Sequence, residues 1–214
     1  MKLKEHIARY GLKKLLIRFV YSQINKVLYL EALNIIVLER ERIKDPKPVD
    51  QRKLTFRYAT ENDLLGMVKD AEFKMTDNKL AHFRNGDHCL LCFVDDELAG
   101  YTWAHTKGQP LLFPGFRISV PDDYCYNYAA LTLPKFRGMN LQSIRHYHLM
   151  NNPQWKDKTG LLGYVVSTNW DSIKGQSKSG YHSIGRIRLF GTKKKYMAFF
   201  SKRLKEMGIK RLAA

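Results

Sequence analysis

An apolar run that passes through a glycine-containing turn into an amphipathic segment constrains this chain more than any other feature. The run YCYNYAALTL begins at Tyr124, the turn PKFRGM begins at Pro134, and the segment that follows has helical periodicity to residue 151. A strand that enters a helix through such a turn leaves several backbone N–H groups unpaired at the positive end of the helix dipole. The stretch therefore predicts a phosphate- or pyrophosphate-binding site.

The pattern on both sides of this stretch alternates strands with helices. Short alternating or continuous apolar runs predict strands, and capping residues followed by 3.6-residue periodicity predict helices. We expect strands at 54–58 and 161–167, helices near 62–71, 77–84 and 169–179, a hairpin at 88–105 turning at Asp95–Asp96, and two closing strands between 181 and 200. This order predicts an α/β fold with a mixed sheet.

The first 50 residues have a different character. Residues 3–29 form an amphipathic helical pattern, with Leu16 and Phe19 on one side and Lys14 and Arg18 opposite. Such a helix packs its apolar face on its own domain, which is the commoner outcome, or lies on an anionic membrane. The DPKP sequence at residues 45–48 cannot continue a helix and predicts a linker. We expect an N-terminal helical extension over 1–50 and a domain over 51–214.

The positive charge is concentrated at the two ends of the chain. The net charge is +17, of which residues 1–53 carry 13 basic and 6 acidic side chains and residues 174–214 carry 12 and 1. Basic ends can contact an acidic acyl carrier protein or an anionic membrane surface. Nucleic acid is disfavoured because no aromatic platform accompanies the charge. With no apolar run of about 18 residues and no secretory cleavage site, we expect a cytoplasmic protein, or one peripheral to the inner face of the membrane.

The three cysteines predict no disulfide framework and no metal site. Cys89 and Cys92 have C-x-x-C spacing, but their segment reads as a strand, in which positions three apart face opposite ways. No second ligand pair has zinc-like spacing. We therefore expect all three thiols, including Cys125, to be small core residues, and we expect no metal cofactor.

The order of elements over about residues 54–200 resembles that of the GNAT N-acetyltransferase superfamily. In that family the fourth strand ends in a Val-x-Pro-x-Tyr-Arg-Gly signature, which residues 132–138 resemble. The family turn continues as Arg-x-x-Gly-x-Gly/Ala; Arg137 and Gly138 match it, whereas Asn140 and Gln142 replace the two later small residues. Asn is the non-glycine residue that best tolerates a left-handed conformation, so the turn can be preserved. The resemblance implies an acyl-CoA N-acyltransferase-like fold with a largely antiparallel central sheet flanked by helices.

A second segment carries the same resemblance. Residues 169–172 and 178–181 look like the family's last helix, which begins with Asn and leads through Lys-x-Gly into a strand. The local chemistry predicts that Asn169 caps this helix and that Gly180 ends it in a left-handed conformation. The resemblance further implies that Asn169 and Ser172 contact the cofactor.

The resemblance implies acetyl-CoA or another acyl-CoA as the cofactor. It implies transfer of the acyl group to a primary amine, on a small molecule or a peptide, by direct attack in a ternary complex. The backbone at the end of the fourth strand would align the pantetheine arm, and the turn would hold the pyrophosphate. The residues so implied are Leu131, Thr132 and Leu133 for the first role, and Arg137, Gly138, Met139, Asn140, Leu141 and Gln142 for the second.

The catalytic acid and base are less defined by the sequence. The family's tyrosine that protonates the leaving thiolate falls at Gln176, which cannot act as an acid. The position of the family's basic glutamate falls at Tyr128, which shares a strand face with Tyr124 and Tyr126 and is a poor base at its ordinary pKa. His105, at the end of the preceding strand, is the second candidate, because histidine is the side chain that most often serves as a general base.

Two other functions fit the same residues. The acyl donor can be an acyl carrier protein instead of coenzyme A, or the protein can be a non-catalytic module that binds acyl-CoA or nucleic acid. The acceptor site lies in the variable loops, including 106–122, whose sequence does not define a substrate. The chain is expected to be a monomer or a homodimer.

Overall fold

The computed structural model describes residues 10–43, 45–46, 51–105, 111–113, 116–192 and 195–212, with only the backbone for 111–113. The strands are β1 (Tyr29–Glu39), β2 (Leu54–Tyr58), β3 (His88–Val94), β4 (Glu97–His105), β5 (Leu111–Phe113), β6 (Phe116–Ile118), β7 (Tyr124–Thr132), β8 (Gly160–Val166), β9 (His182–Gly191), β10 (Tyr196–Phe200) and β11 (Arg211–Leu212). The helices are α1 (Leu12–Val27), α2 (Glu61–Lys69), α3 (Asp77–Arg84), α4 (Leu141–Asn151), α5 (Trp170–Lys178) and α6 (Lys202–Glu206).

Eight strands form one sheet in the order β10-β9-β1-β8-β7-β4-β3-β2. All neighbours in it are antiparallel except β7 and β8, which run parallel. The prediction of a mixed, largely antiparallel sheet flanked by helices is confirmed. Among the described strands the one parallel pair lies at the centre of the sheet, next to the turn that follows β7.

Strand β1 lies inside this sheet, between β8 and β9. It pairs antiparallel with both, from Leu33 opposite Val166 to Glu39 opposite Gly160 on the β8 side. Because both of its edges and both of its faces are covered, the run from Ile35 to Leu38 is buried. Part of the segment 1–50 is thus an interior strand of the sheet. The linker expected at 45–48 lies partly outside the described residues.

Local chemistry forms the elements as the sequence indicates. Helix α2 begins with a reciprocal capping box: Asp63 N–H donates to Thr60 Oγ1 at 3.3 Å, and Thr60 N–H donates to the Asp63 carboxylate at 2.7 Å. The β3–β4 hairpin turns at Asp95 and Asp96, whose φ angles of 50° and 65° match the left-handed pair of a tight hairpin turn. The predicted helix cap and the predicted turn are both confirmed.

The helices cover the sheet on both faces. Helices α2 and α3 pack over β3 and β4 on one face, and α4 packs over β3 and β7 on the other. The face of α2 and α3 continues over β1 and β9, where a second small sheet, β11-β6-β5, and α6 cover it. The three cysteines are buried and free, as expected of core thiols.

The segment 106–122 differs from the loop expected there. It contains β5 and β6, and β6 pairs with β11 so that Arg211 lies opposite Ile118. A strand this short gives no periodic signal, and its partner is almost a hundred residues away, so the pairing was not visible in the sequence. Residues 106–110 and 114–115 lie outside the described part of the chain. Within that part, no helix is long and apolar enough to cross a bilayer.

Candidate functional site

The centre of the sheet opens where β7 and β8 part. Their parallel pairing extends over only three residue pairs, from Tyr124 opposite Gly160 to Tyr126 opposite Leu162. Farther along β7, Ala129 has a φ of 47°, and the register between β7 and β4 shifts at the same point. A bulge of this kind bends its strand and interrupts the ladder. Both strands continue past the last pair, so a cleft opens between their carboxyl ends.

The turn after β7 offers backbone donors at the start of α4. The backbone N–H groups of residues 138–143 have no acceptor among the described residues, and Asn140 makes no side-chain cap. Gly138 and Asn140 have left-handed φ angles of 89° and 59°. The expectation that Asn140 tolerates this conformation is confirmed. Uncapped N–H groups together with the helix dipole form a site for an anion.

Further side chains border this turn. Arg137 is exposed, and Arg52 Nη2 lies 3.2 Å from Met139 Sδ. Gln142 faces α5, where its Oε1 lies 3.3 Å from the position that a Cβ on Gly175 would occupy. Ser143 Oγ donates to Ser179 Oγ at 2.9 Å. The donors at the start of α4 are therefore held beside α5 and flanked by two arginines. Sequence reasoning missed Arg52, because it lies more than 80 residues before the turn.

Some of the polar groups at the end of β7 already make hydrogen bonds within the protein. Leu133 N–H donates to Ala99 O at 2.9 Å, so it is not available to align a pantetheine arm, contrary to what the resemblance implied. Thr132 Oγ1 accepts from Arg145 Nη2 at 3.0 Å. Leu131 lies opposite Tyr101 in the ladder with β4. The open edge of β7 faces β8, and only the groups pointing that way can meet a ligand in the cleft.

Asn169 and Ser172 lie at the start of α5, near the end of β8. Asn169 Oδ1 accepts from Ser172 N–H at 3.2 Å, and Gly180 has a φ of 94° just after the helix, so the predicted cap and the predicted helix end are both confirmed. Asn169 also lines a cavity of about 380 Å³ together with Tyr10, Arg18 and Trp170. The cofactor contacts implied for Asn169 and Ser172 stay a prediction.

A buried carboxylate joins the two candidate catalytic residues. Asp87, which is 4% exposed, accepts from Tyr128 Oη with one oxygen and lies 2.5 Å from His105 Nδ1 with the other. His82 Nδ1 lies 3.6 Å from the same carboxylate. His105 Nε2 is buried and has no partner within the described ranges. Sequence reasoning missed Asp87, since an acidic residue directly before a strand is usually a surface residue.

This arrangement fixes the protons of the cluster. A carboxylate only accepts hydrogen bonds, so His105 presents Nδ1–H to Asp87, and Nε2 is the ring nitrogen that points away from the carboxylate. Burial and the Asp87 carboxylate raise the pKa of Tyr128 far above its ordinary value. Tyr128 therefore keeps its proton and cannot act as a base at neutral pH. Its ring stacks on that of Tyr126, with the two ring centroids 5.5 Å apart, as expected of a row of aromatic side chains along one face of β7.

Helix α4 buries two polar residues, although the polar residues of an amphipathic helix usually lie on its surface. Arg145 and His146 are each 1% exposed, and both ring nitrogens of His146 have no hydrogen-bond partner within the described residues. Arg145 contacts Thr132 at the end of β7 and His146 contacts Tyr181 just after α5, so neighbouring elements cover both side chains. Gln176 is half-buried, and its Oε1 has no partner there either. Within the described ranges, no three His, Cys, Asp or Glu side chains are arranged so that they could hold a metal ion.

Comparison with known proteins supports the fold. No protein-family model and no curated protein sequence matches the chain. Among solved structures it is similar to a GNAT-family acetyltransferase from Colwellia psychrerythraea, with a TM-score of 0.53 and 12% identity over 84% of this chain and 62% of that one. A GCN5-related N-acetyltransferase from Kribbella flavida has a TM-score of 0.52 and 10% identity over 81% and 63%. A tandem GNAT protein from the clavulanic acid biosynthesis pathway has 0.51 and 11% over 86% and 58%.

These similarities show a fold and nothing finer. The chain has the fold of the GNAT N-acetyltransferases, as the resemblance in its sequence predicted. It spans about three fifths of the length of these three structures. At identities this low, activity does not follow from the fold, so the function must be argued from the site itself.

Proposed function

We propose that this protein is an N-acyltransferase that moves an acyl group from an acyl-CoA to a primary amine. The observation that carries the proposal is the uncapped row of backbone donors at residues 138–143, placed beside a cleft between two parting strands. A pyrophosphate fits donors of this kind, and the cleft leads from them toward the centre of the sheet. Bound acyl-CoA supplies an activated thioester carbonyl.

The proposed cofactor-binding groups and the candidate catalytic residues lie on opposite faces of the sheet. The donors at the start of α4 lie on the α4 face, whereas Asp87, His105 and Tyr128 lie on the face covered by α2 and α3. Tyr128 directly precedes the bulge at Ala129, so the cluster adjoins the point where β7 and β8 part. We expect the cofactor to enter from the α4 face and the amine from the opposite face.

His105 is the residue to which we assign the role of base. Its Nε2 accepts a proton from the attacking amine, while Asp87 holds Nδ1–H and stabilises the cation that forms. The nitrogen then bonds to the thioester carbonyl carbon and the carbon–sulfur bond breaks. Because Gln176 cannot supply a proton, the thiolate takes one from water. The buried Cys89, Cys92 and Cys125, whose pKa values burial raises, are not nucleophiles in this scheme.

Binding of coenzyme A tests the proposal directly. Free CoA and acetyl-CoA should raise the thermal unfolding midpoint, since a ligand at about 100 times its Kd stabilises a protein by about 2.7 kcal/mol. An acyl carrier protein that stabilises the chain in their place would favour the other donor. Stabilisation by RNA alone, with steep salt dependence, would refute the acyltransferase proposal.

Replacing Gln142 by Glu separates binding from folding. The change is isosteric and places a carboxylate in the first turn of α4, where the helix dipole stabilises it by about 0.5 kcal/mol. The same charge repels a pyrophosphate, so we expect CoA affinity to fall about tenfold, or about 1.4 kcal/mol. Calorimetric titration with CoA and thermal unfolding would show opposite signs for the two effects.

Gln154→Glu is the matched control for this variant. Gln154 is exposed and lies beyond the opposite end of α4, so the same change in charge should leave CoA affinity unaltered there. Equal CoA affinity in Gln142→Glu and the wild type would show that the start of α4 is not the pyrophosphate site.

A further inference from the structure

Helix α1 presents its apolar side to solvent and its polar side to the protein. Leu16 and Phe19 are about 60% exposed and Val27 is 80% exposed. The other large exposed apolar residues of the segment lie on the same broad arc of the helix or at its border: Leu12, Ile17, Val20, Ile24 and Leu28. This excludes the commoner interpretation of the pattern, in which the apolar face packs on the helix's own domain.

The side of α1 that faces the domain makes polar contacts. Just before the helix, Tyr10 Oη donates to the Asp171 carboxylate, and on the helix Lys14 Nζ lies 5.6 Å from the centre of the Trp170 ring. Tyr21 Oη donates to Glu31 Oε1 at 3.4 Å, and Asn25 Oδ1 accepts from Leu30 N–H at 2.7 Å. These contacts set the rotation of the helix about its axis. Because these contacts hold the polar side of α1 on the domain, the apolar stripe faces solvent. An exposed apolar stripe of this size indicates an interaction surface.

The charges around the stripe are all positive. Helix α1 carries Lys13, Lys14, Arg18 and Lys26 and no acidic residue. Lys13 lies within the apolar arc and Lys26 at its edge, where their stems can pack on apolar groups while the ammonium reaches a polar surface. Residues 174–214 add 12 basic side chains against 1 acidic one. An anionic surface complements this distribution.

A second exposed apolar group continues from the end of α1 across the sheet. Leu30 lies opposite Phe190 in the β1–β9 ladder, and Phe190 lies opposite Met197 in the β9–β10 ladder. Phe190 and Met197 are exposed. Phe199 is exposed as well, and its ladder partner is the exposed Arg188. Because paired positions share a face, these residues form a row of apolar side chains accompanied by arginine.

We propose that α1 docks the protein on the surface of an anionic lipid bilayer, lying in the plane of the interface. Sixteen residues span about 24 Å, and a helix with a broad apolar stripe, with only lysine and arginine as its charged residues, resembles interfacial helices. A second copy of this chain is disfavoured as the occupant, since it would bring two helices of charge +4 together. An acidic partner protein would be recognised by the charges but would leave the apolar stripe unexplained.

Vesicle flotation tests this proposal independently of any enzymatic activity. We expect the wild-type protein to bind vesicles of phosphatidylcholine with about 30% phosphatidylglycerol and to bind pure phosphatidylcholine at least about tenfold more weakly. Leu16→Asp combined with Phe19→Asp should lower binding to the anionic vesicles by at least about tenfold. Lys13→Gln should lower it about fivefold and reduce the sensitivity of binding to salt, because it removes one of the charges that salt screens.

Leu65→Asp is the matched control, because Leu65 is an exposed apolar residue on α2, outside the stripe. It should bind vesicles like the wild type, and all variants should keep the wild-type thermal midpoint. Wild-type protein that fails to bind anionic vesicles would overturn the proposal, as would undiminished binding of the double variant. A dimer that the double variant dissociates, without vesicle binding by the wild type, would assign the stripe to a second copy instead.

Discussion

We expect His105→Asn to lower kcat for acyl transfer by about 10²–10³-fold, with the affinity for acetyl-CoA unchanged. Asn retains a donor near the position of Nδ1, so Asp87 keeps a partner, whereas the acceptor at Nε2 is lost. The loss should shrink as pH rises, since a growing fraction of the amine is then neutral before it binds. Release of free CoA thiol from acetyl-CoA, measured with a panel of primary amines from pH 6 to pH 10, would show the effect.

The carboxylate behind His105 provides a second readout. If Asp87 acts through His105, Asp87→Asn should lower kcat by a similar factor, and the double variant should be little worse than either single one. His82→Asn is the control, because His82 also faces Asp87 but has no role in the proposed proton transfer. This variant should retain kcat within about threefold of the wild type. Full activity of His105→Asn at neutral pH would remove His105 from the mechanism.

The sequence predicted best the features that depend on neighbouring residues. The capping box of Thr60 and Asp63, the turn at Asp95 and Asp96, and the left-handed Asn140 each follow from side-chain chemistry within a few positions. The same holds for the unpaired backbone donors that we propose as the anion site, because a strand, a turn and a helix start are consecutive in the chain. These are the parts of the fold and the site that a single sequence defines.

The sequence did not show the features that depend on distant residues. Asp87 reaches His105 and Tyr128, which lie 18 and 41 residues farther along the chain. In strand β1, Leu33 lies opposite Val166 of β8 on one side and Ile187 of β9 on the other. Each partner is more than 130 residues away in the chain. Periodicity also defines an apolar side of a helix without saying which way it points. For α1 that side faces solvent, because polar contacts such as that of Tyr21 with Glu31 hold the opposite side of the helix against the domain.

His146 should make the protein sensitive to acid. Burial, and then the neighbouring Arg145 cation, lower the pKa of His146 to about 3. In the unfolded chain its pKa is about 6.5, so between these two values the unfolded state binds a proton that the folded state does not. The contribution of His146 to the free energy of unfolding is therefore fully present above about pH 6.5. It is lost progressively as the pH falls toward 3. At pH 4.5 the loss from this one group is about 2–3 kcal/mol.

Replacing His146 by Phe should remove this sensitivity. Phe keeps a ring against Tyr181, whose centroid lies 5.2 Å from that of His146, and has no proton to gain. The drop in the free energy of unfolding between pH 7 and pH 4.5, measured with urea, should be about 2 kcal/mol smaller than in the wild type. The comparison concerns the pH dependence, so any packing change at pH 7 cancels. His148→Phe, on the exposed side of the same helix, should alter the drop less. An equal drop in His146→Phe and the wild type would mean that His146 already takes up its proton in the folded state.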